Sequence, residues 1–230
     1  MRVLGIIPAR GGSKGVVEKN IREVDGQPLI SYSIEIGQKS KLLTDLIVST
    51  DSDKIINVSK KYKCKTLKRS QKNSEDSTPI ESVLFEVLGN LKLEYDLIVL
   101  LQPTAPIREP EDIDNVIKFF IDEPNLETVI SVIELDDIHP ARMYKLSETK
   151  ELLALYSSLE RKRRQDLEPV YLRNGAIYAT RVSSLLKNKK LISENKKAYL
   201  MPESKWANID TERDLLITEV LIKEWKKGNL

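Results

Sequence analysis

The stretch VLGIIPARGGSKGVVEKN, residues 3–20, decides how the rest of the chain is read. From Val3 to Ala9 it carries no charge, and it then breaks into Arg10, Gly11 and Gly12. A short continuous apolar run bounded by turn residues reads as a strand buried on both faces, and such strands belong to parallel sheets covered by helices. The loop behind it sets Arg10, Lys14 and Lys19 among glycines, which let backbone approach a ligand closely and expose N–H groups to it. A strand that leads straight into three cations is therefore read as opening onto a polyanion.

The same alternation recurs outward along the chain. Apolar runs at 2–9, 45–49, 96–101, 128–133 and 176–180 alternate with segments of helical period at 29–39, 53–61, 79–91, 111–120 and 212–226. This predicts an α/β chain, one domain over 1–230, around a mixed, mainly parallel sheet. Pro110 with Glu111 and Asp112 reads as a helix first turn, with a preset φ and acids at the positive end of the dipole. Segment 136–172, rich in charge and Tyr, breaks the alternation and reads as an excursion that packs on a partner subunit. The stretch VYLRNGAIYAT, 170–180, reads as two β runs around an Asn-Gly hairpin turn.

Lys and Arg total 37 against 35 Asp and Glu, a net charge of +2, which gives no reason to expect nucleic acid or an anionic membrane as partner. The apolar runs fall far short of the ~20 residues that cross a bilayer, and Arg10 stands where a secretory signal needs a small residue, so a cytoplasmic protein is expected. The lone Cys64 reads as a small buried hydrophobe in a reducing compartment. His139, the only histidine, stands before Pro140 and reads as a turn residue rather than a general base.

RGGSKG is neither a Walker A loop nor G-x-G-x-x-G. Taken in order, however, IPARGGSKGVVEKNI at 7–21, GQPLISYSI at 26–34, STDSDKI at 49–55, LLQPTAPIR at 100–108, RRQDL at 163–167, RNGAIY at 173–178 and NIDTERDL at 208–215 resemble the acylneuraminate cytidylyltransferases. The resemblance runs from residue 3 to about 220, and its opening motif is highly specific.

It implies a Rossmann-like nucleotidyltransferase fold with a small dimerisation lobe, in a homodimer whose lobe reaches the neighbouring site. It implies Mg²⁺-dependent joining of CTP to a nine-carbon keto sugar acid (N-acylneuraminic, legionaminic or a related nonulosonic acid) with release of pyrophosphate. Arg10 and Lys19 would neutralise the triphosphate, and Ala9, Gly11, Gly12, Ser13, Lys14 and Asn20 would complete the nucleotide contacts. Gln102, Arg164 and Asn174 would serve the sugar, with Arg164 on its carboxylate. Asp210 would hold the metal.

The departure lies at Asn208, where relatives commonly carry a carboxylate. Period-two alternation puts Asn208 and Asp210 on one side of an extended segment. An amide oxygen can ligate Mg²⁺ but brings no charge, so Asp210 should carry most of the metal binding. Asp214 reads either as an outer-shell partner of the metal or, more simply, as a helix-surface acid. Two other readings stay open: a related nucleotidyltransferase for the eight-carbon keto-deoxy acid or a sugar phosphate, and a catalytically weakened nucleotide-binding protein.

Overall fold

The apolar runs assemble into a single seven-stranded sheet in a computed structural model that describes residues 1–13, 15–91, 93–135 and 138–230. Lys14, expected at the phosphates, and the first two residues of the expected excursion lie outside the described residues. In chain order the elements are β1 (Val3–Pro8), β2 (Glu23–Val24), β3 (Gln27–Pro28), α1 (Leu29–Lys39), β4 (Asp45–Thr50), α2 (Asp53–Lys61), β5 (Lys65–Lys68) and α3 (Ile80–Asn90). Then come β6 (Leu97–Leu101), α4 (Pro110–Asp122), β7 (Thr128–Leu135), β8 (Tyr144–Leu146), β9 (Leu152–Ala154), β10 (Val170–Arg181), α5 (Val182–Asn188), β11 (Lys196–Leu200) and α6 (Glu212–Lys226). The sheet order is β11-β7-β10-β6-β1-β4-β5, and β10 alone runs antiparallel to its neighbours.

Alternation along the central strands divides the core in two. Leu97, Val99 and Leu101 of β6 face one side with Ile34 of α1 and Ile113 and Ile117 of α4; Ile98 and Leu100 face the other with Leu84 and Val87 of α3 and Leu185 of α5. Both faces of β6 are thus apolar because both are covered, as a mainly parallel sheet requires. A third cluster, including Val16, Val24, Ile209 and Leu215, fastens the loop after β1 to the last segment of the chain. Val16 and Ile209 are fully buried there, and each such side chain contributes about 1.5–3 kcal/mol of transfer free energy.

Several local expectations hold. Pro110 opens α4, and the Glu109 N–H donates to Asp112 Oδ2 at 2.7 Å. His139 Nδ1 accepts the Ala141 N–H at 3.0 Å and so caps the short turn Pro140–Arg142. Cys64 is buried, which pushes its thiol up to about 11. Among the described residues no helix is long and apolar enough to cross a membrane.

The hairpin reading of Asn174-Gly175 is corrected. Val170–Arg181 is one strand paired with β7 along both halves, and its register shifts between Arg173 and Tyr178. Gly175, at φ +78°, spends its left-handed conformation on a bulge rather than a turn, because ladder partners on both sides of it hold the chain straight. Asn174 is consequently buried rather than displayed at a pocket rim. Its Oδ1 accepts from Ser131 Oγ (2.6 Å) and the Ala176 N–H (3.1 Å), and its Nδ2 donates to Met201 Sδ (3.2 Å). The excursion forms a lobe around the hairpin β8–β9, while residues 170–172 belong to the main sheet.

Candidate active site

β1 lies inside the sheet with β4 on one side and β6 on the other, all parallel, so three loops leave its carboxyl edge side by side. Such a switch point is where open α/β sheets keep their ligands. The loop after β1 is locked to the loop after β4. Ala9 N–H donates to Ser49 O and Gly11 N–H to Asp51 Oδ1, both at 2.9 Å, and a Cβ at Gly11 would press on Ser52 Cβ at 2.9 Å. Gly11 is thus needed for close packing, and its N–H, expected at the triphosphate, is held by Asp51. Asn20, buried, donates from Nδ2 to Arg10 O at 2.9 Å and pins the backbone from which the Arg10 side chain leaves.

The loop after β1 also meets the chain's last segment. Lys19 Nζ donates to Ile209 O at 2.6 Å and lies 3.1 Å from Asp210 Oδ1. Gly15 lies so close to this segment that a Cβ there would overlap the Asp210 carbonyl oxygen. Ile209 N–H in turn donates to Thr104 O at 2.9 Å, which ties in the loop after β6. Asn208 and Asp210 do project to one side, with Asn208 Nδ2 donating to Asp210 Oδ2 at 2.8 Å. Asp214 is more than a surface acid: its Oδ2 accepts from Thr211 N and Oγ1, both at 2.8 Å, and from Asp210 N at 3.1 Å. This capping arrangement fixes the backbone of Asp210, and the Thr211 hydroxyl is the largest cause of a carboxyl pKa below the usual carboxylate range.

These contacts surround a cavity of about 350 Å³ lined by Arg10, Ser13, Lys19, Asn20, Gln102 and Asp210. Arg69 and Asn73 also line it, and sequence reading missed them. Arg69 is buried, with Nη2 donating to Ser49 O (2.8 Å) and Nε to Ser49 Oγ (3.3 Å). Desolvation pulls its pKa down against the opposing charges of Asp51 and Glu86, and the charge of Arg10 adds to the lowering. Arg10 is ion-paired with Asp76 across the cavity. Glu86 of α3 holds this wall by accepting from Ser70 N (2.6 Å), Ser70 Oγ (3.0 Å) and Asn73 Nδ2. The signal that would have found Arg69 is its place just past β5, a strand too short and too charged to recognise by pattern.

A second cavity, about 330 Å³, adjoins the first and shares Gln102 and Ile80 with it. Glu81, Arg173, Tyr178 and Lys190 line it, and Glu81 Oε1 accepts the Leu191 N–H at 3.1 Å. Arg164 is not gathered with the other expected residues. It lines a third cavity of about 300 Å³ in the lobe, with His139, Arg142 and Glu168.

Among the described residues no three His, Cys, Asp or Glu side chains converge as a self-sufficient metal cage. Asp210 presents a two-thirds exposed carboxylate opposite the cationic wall. Mg²⁺ is typically held by one or two carboxylates together with waters and substrate phosphates, so this donor set fits an ion that arrives with a polyphosphate. Asn208, expected as a ligand, turns its amide nitrogen toward Asp210 and so orients that carboxylate.

A family model described as cytidylyltransferase matches residues 4–211. The chain is 31% identical over 230 residues to a CMP-N,N'-diacetyllegionaminic acid synthase of Legionella pneumophila, covering 97% of each. It is 30% identical over 228 residues to a pseudaminic acid cytidylyltransferase of Campylobacter jejuni, again covering 97% of each. It is 32% identical over 231 residues to post-translational flagellin modification protein B of Campylobacter coli, covering 96% of this chain and 95% of that one. Among solved structures, CMP:2-keto-3-deoxy-manno-octonic acid synthetase complexed with CTP superposes with a TM-score of 0.75 at 19% identity, covering 97% of this chain and 99% of that chain, a likeness of fold.

Proposed function

Because the chain belongs to the cytidylyltransferase family, we propose that it transfers CMP from CTP to the anomeric hydroxyl of a nonulosonic acid and releases pyrophosphate. The observation that carries this reading is the bond from Lys19 to Ile209 O and Asp210, which brings cation and carboxylate together over the switch point of the sheet. The names of relatives about 30% identical over nearly the whole chain support the acceptor class.

In-line attack on the α-phosphate spreads negative charge over the phosphoryl oxygens, so the enzyme's task is to position the reactants and supply positive charge. Arg10 and Lys19 do this on the triphosphate, and Arg69 adds a guanidinium already stripped of water. Asn20 keeps Arg10 aimed, and Asp214 keeps Asp210 aimed. Bound Mg²⁺ would neutralise phosphate charge, with Asp210 holding it and Asn208 orienting Asp210. Gln102 stands between the two cavities, so the second one, with Glu81, Arg173 and Lys190 in its walls, receives the acceptor.

We extend the reading to a homodimer working in the cytoplasm, where CTP is made. The lobe exposes Leu146, Leu152, Leu153 and Tyr156, and a second copy of the chain covers them. Arg164, remote from the nucleotide cavity in its own chain, then meets the acceptor carboxylate in the neighbour.

The test is mass spectrometry of the products formed from CTP and Mg²⁺ with a panel of keto sugar acids, alongside pyrophosphate release. A CMP-linked nine-carbon acid and an equal amount of pyrophosphate are expected. Turnover of the eight-carbon acid alone would replace the acceptor class, and CTP binding without turnover of any acid would overturn the enzymatic reading.

A further inference from the structure

Arg108 is fully buried, and among the described residues its guanidinium hydrogen-bonds no carboxylate, only the charge of Asp112 favouring it from further off: Nη2 donates to Gln102 O (2.8 Å) and to Ser33 Oγ, Nη1 donates to Ala176 O, and Nε has no partner among the described residues. Burying a charge whose hydrogen bonds all go to neutral oxygens is costly, so the arrangement calls for a reason beyond packing. Both carbonyls it binds belong to the framework of the proposed acceptor cavity. Gln102 lines it, and Ala176 sits in the bulge of β10 between Arg173 and Tyr178, which also line it.

That bulge decides where two side chains go. Residues 173 and 178 are five positions apart, and on an unbroken strand an odd separation sends side chains to opposite faces. Here Arg173 pairs with Val132 and Tyr178 with Ile130, two positions apart on β7, so both come to the same face and into one cavity. Their closeness is felt electrostatically: burial raises the Tyr178 phenol and the charge of Arg173 opposes it. The bulge leaves its own backbone outside the ladder with β7, and side chains satisfy it there. Asn174 Oδ1 takes the Ala176 N–H, Ser131 Oγ takes the Ile177 N–H at 2.8 Å, and Arg108 supplies the donor for Ala176 O.

We propose that Arg108 is a positioning residue for the acceptor: by clamping the carbonyls of Gln102 and Ala176 together, it holds the bulge that turns Arg173 and Tyr178 into the acceptor cavity beside Gln102. The inference rests on the proposed reaction for the identity of the cavity's occupant and for its kinetic readout, while the clamp on the bulge is read from the crystal structure alone. Lysine keeps the charge but cannot fork to three acceptors, and methionine keeps much of the volume without donors.

The experiment compares the parent enzyme with Arg108→Lys and Arg108→Met, each checked for a cooperative thermal transition, by KM for CTP and for the acceptor measured separately and by the crystal structure of Arg108→Met. The expected result is acceptor KM raised about tenfold or more in both variants with CTP KM within about twofold, and Arg173 or Tyr178 displaced from the cavity. Parent-like acceptor KM in a folded variant, equal loss toward both substrates, or Arg173 and Tyr178 unmoved in the crystal would each overturn the proposal. A parent enzyme that turns over no keto sugar acid would count against the reaction instead, and the crystal structure would still decide the role of Arg108.

Discussion

Lys19 and Asp210 carry the account at the level of single residues. A charge-assisted hydrogen bond contributes about 1.5–3 kcal/mol, so Lys19→Met should weaken CTP about tenfold to a hundredfold, as read by calorimetric titration. Asp210→Asn should abolish turnover, and a near-normal rate in a pyrophosphate-release assay would place the metal elsewhere. Arg10, Lys19 and Asp210 were legible because charge, glycine and spacing coincide in motifs. Arg69 was not, since nothing local distinguishes one arginine after a charged tetrapeptide. Cys64 offers a separate check on the core. With its thiol pushed up to about 11 from an ordinary 9.0, it stays protonated at pH 8 and should resist a thiol-labelling reagent until the protein unfolds. Because the folded chain keeps a proton that the unfolded chain has lost, stability should fall as pH climbs from about 9 toward 11.

Among the elements, strands and helices that are continuous and well bounded could be read from pattern alone. β1, β4, β6 and β7 and helices α1 to α4 and α6 lie within a few residues of their expected positions. β5 and β11 escaped because they are short, charged edge strands half open to solvent, and α5 because it is only seven residues long. The Asn-Gly signal misled because tertiary pairing across β7 and β6 outweighs a local turn preference. Asp214 shows the opposite lesson: Thr211-x-x-Asp214 is a helix-start signature in plain view, and its use in holding Asp210 emerges only from the fold. Asp214→Ala should cost about 0.5–2 kcal/mol, a fall of a few degrees in Tm by calorimetry, and slow turnover more than that loss of stability explains. The loop after β1 makes a sharper contrast. Gly15→Ala should disrupt the approach to Asp210 and impair activity, whereas Gly12→Ala, with nothing within 4 Å of its Cβ, should leave the Tm read by calorimetry close to the parent value.

For the molecule as a whole, the sheet brings the first loop and the last segment of the chain to one crevice and leaves Arg164 in a lobe with its own cavity. If that lobe serves a neighbour, inactive Arg164→Ala and Asp210→Asn chains should complement when mixed and reassembled. One intact site per hybrid of a two-fold dimer restores roughly a quarter of full activity. No recovery in demonstrated hybrids would put Arg164 to work in its own chain or not at all. The most direct measurement on the central claim is a crystal structure with CTP and Mg²⁺ bound. The account predicts the triphosphate between Arg10 and Lys19 with the ion on Asp210; productive binding elsewhere, with these three side chains untouched, would contradict it.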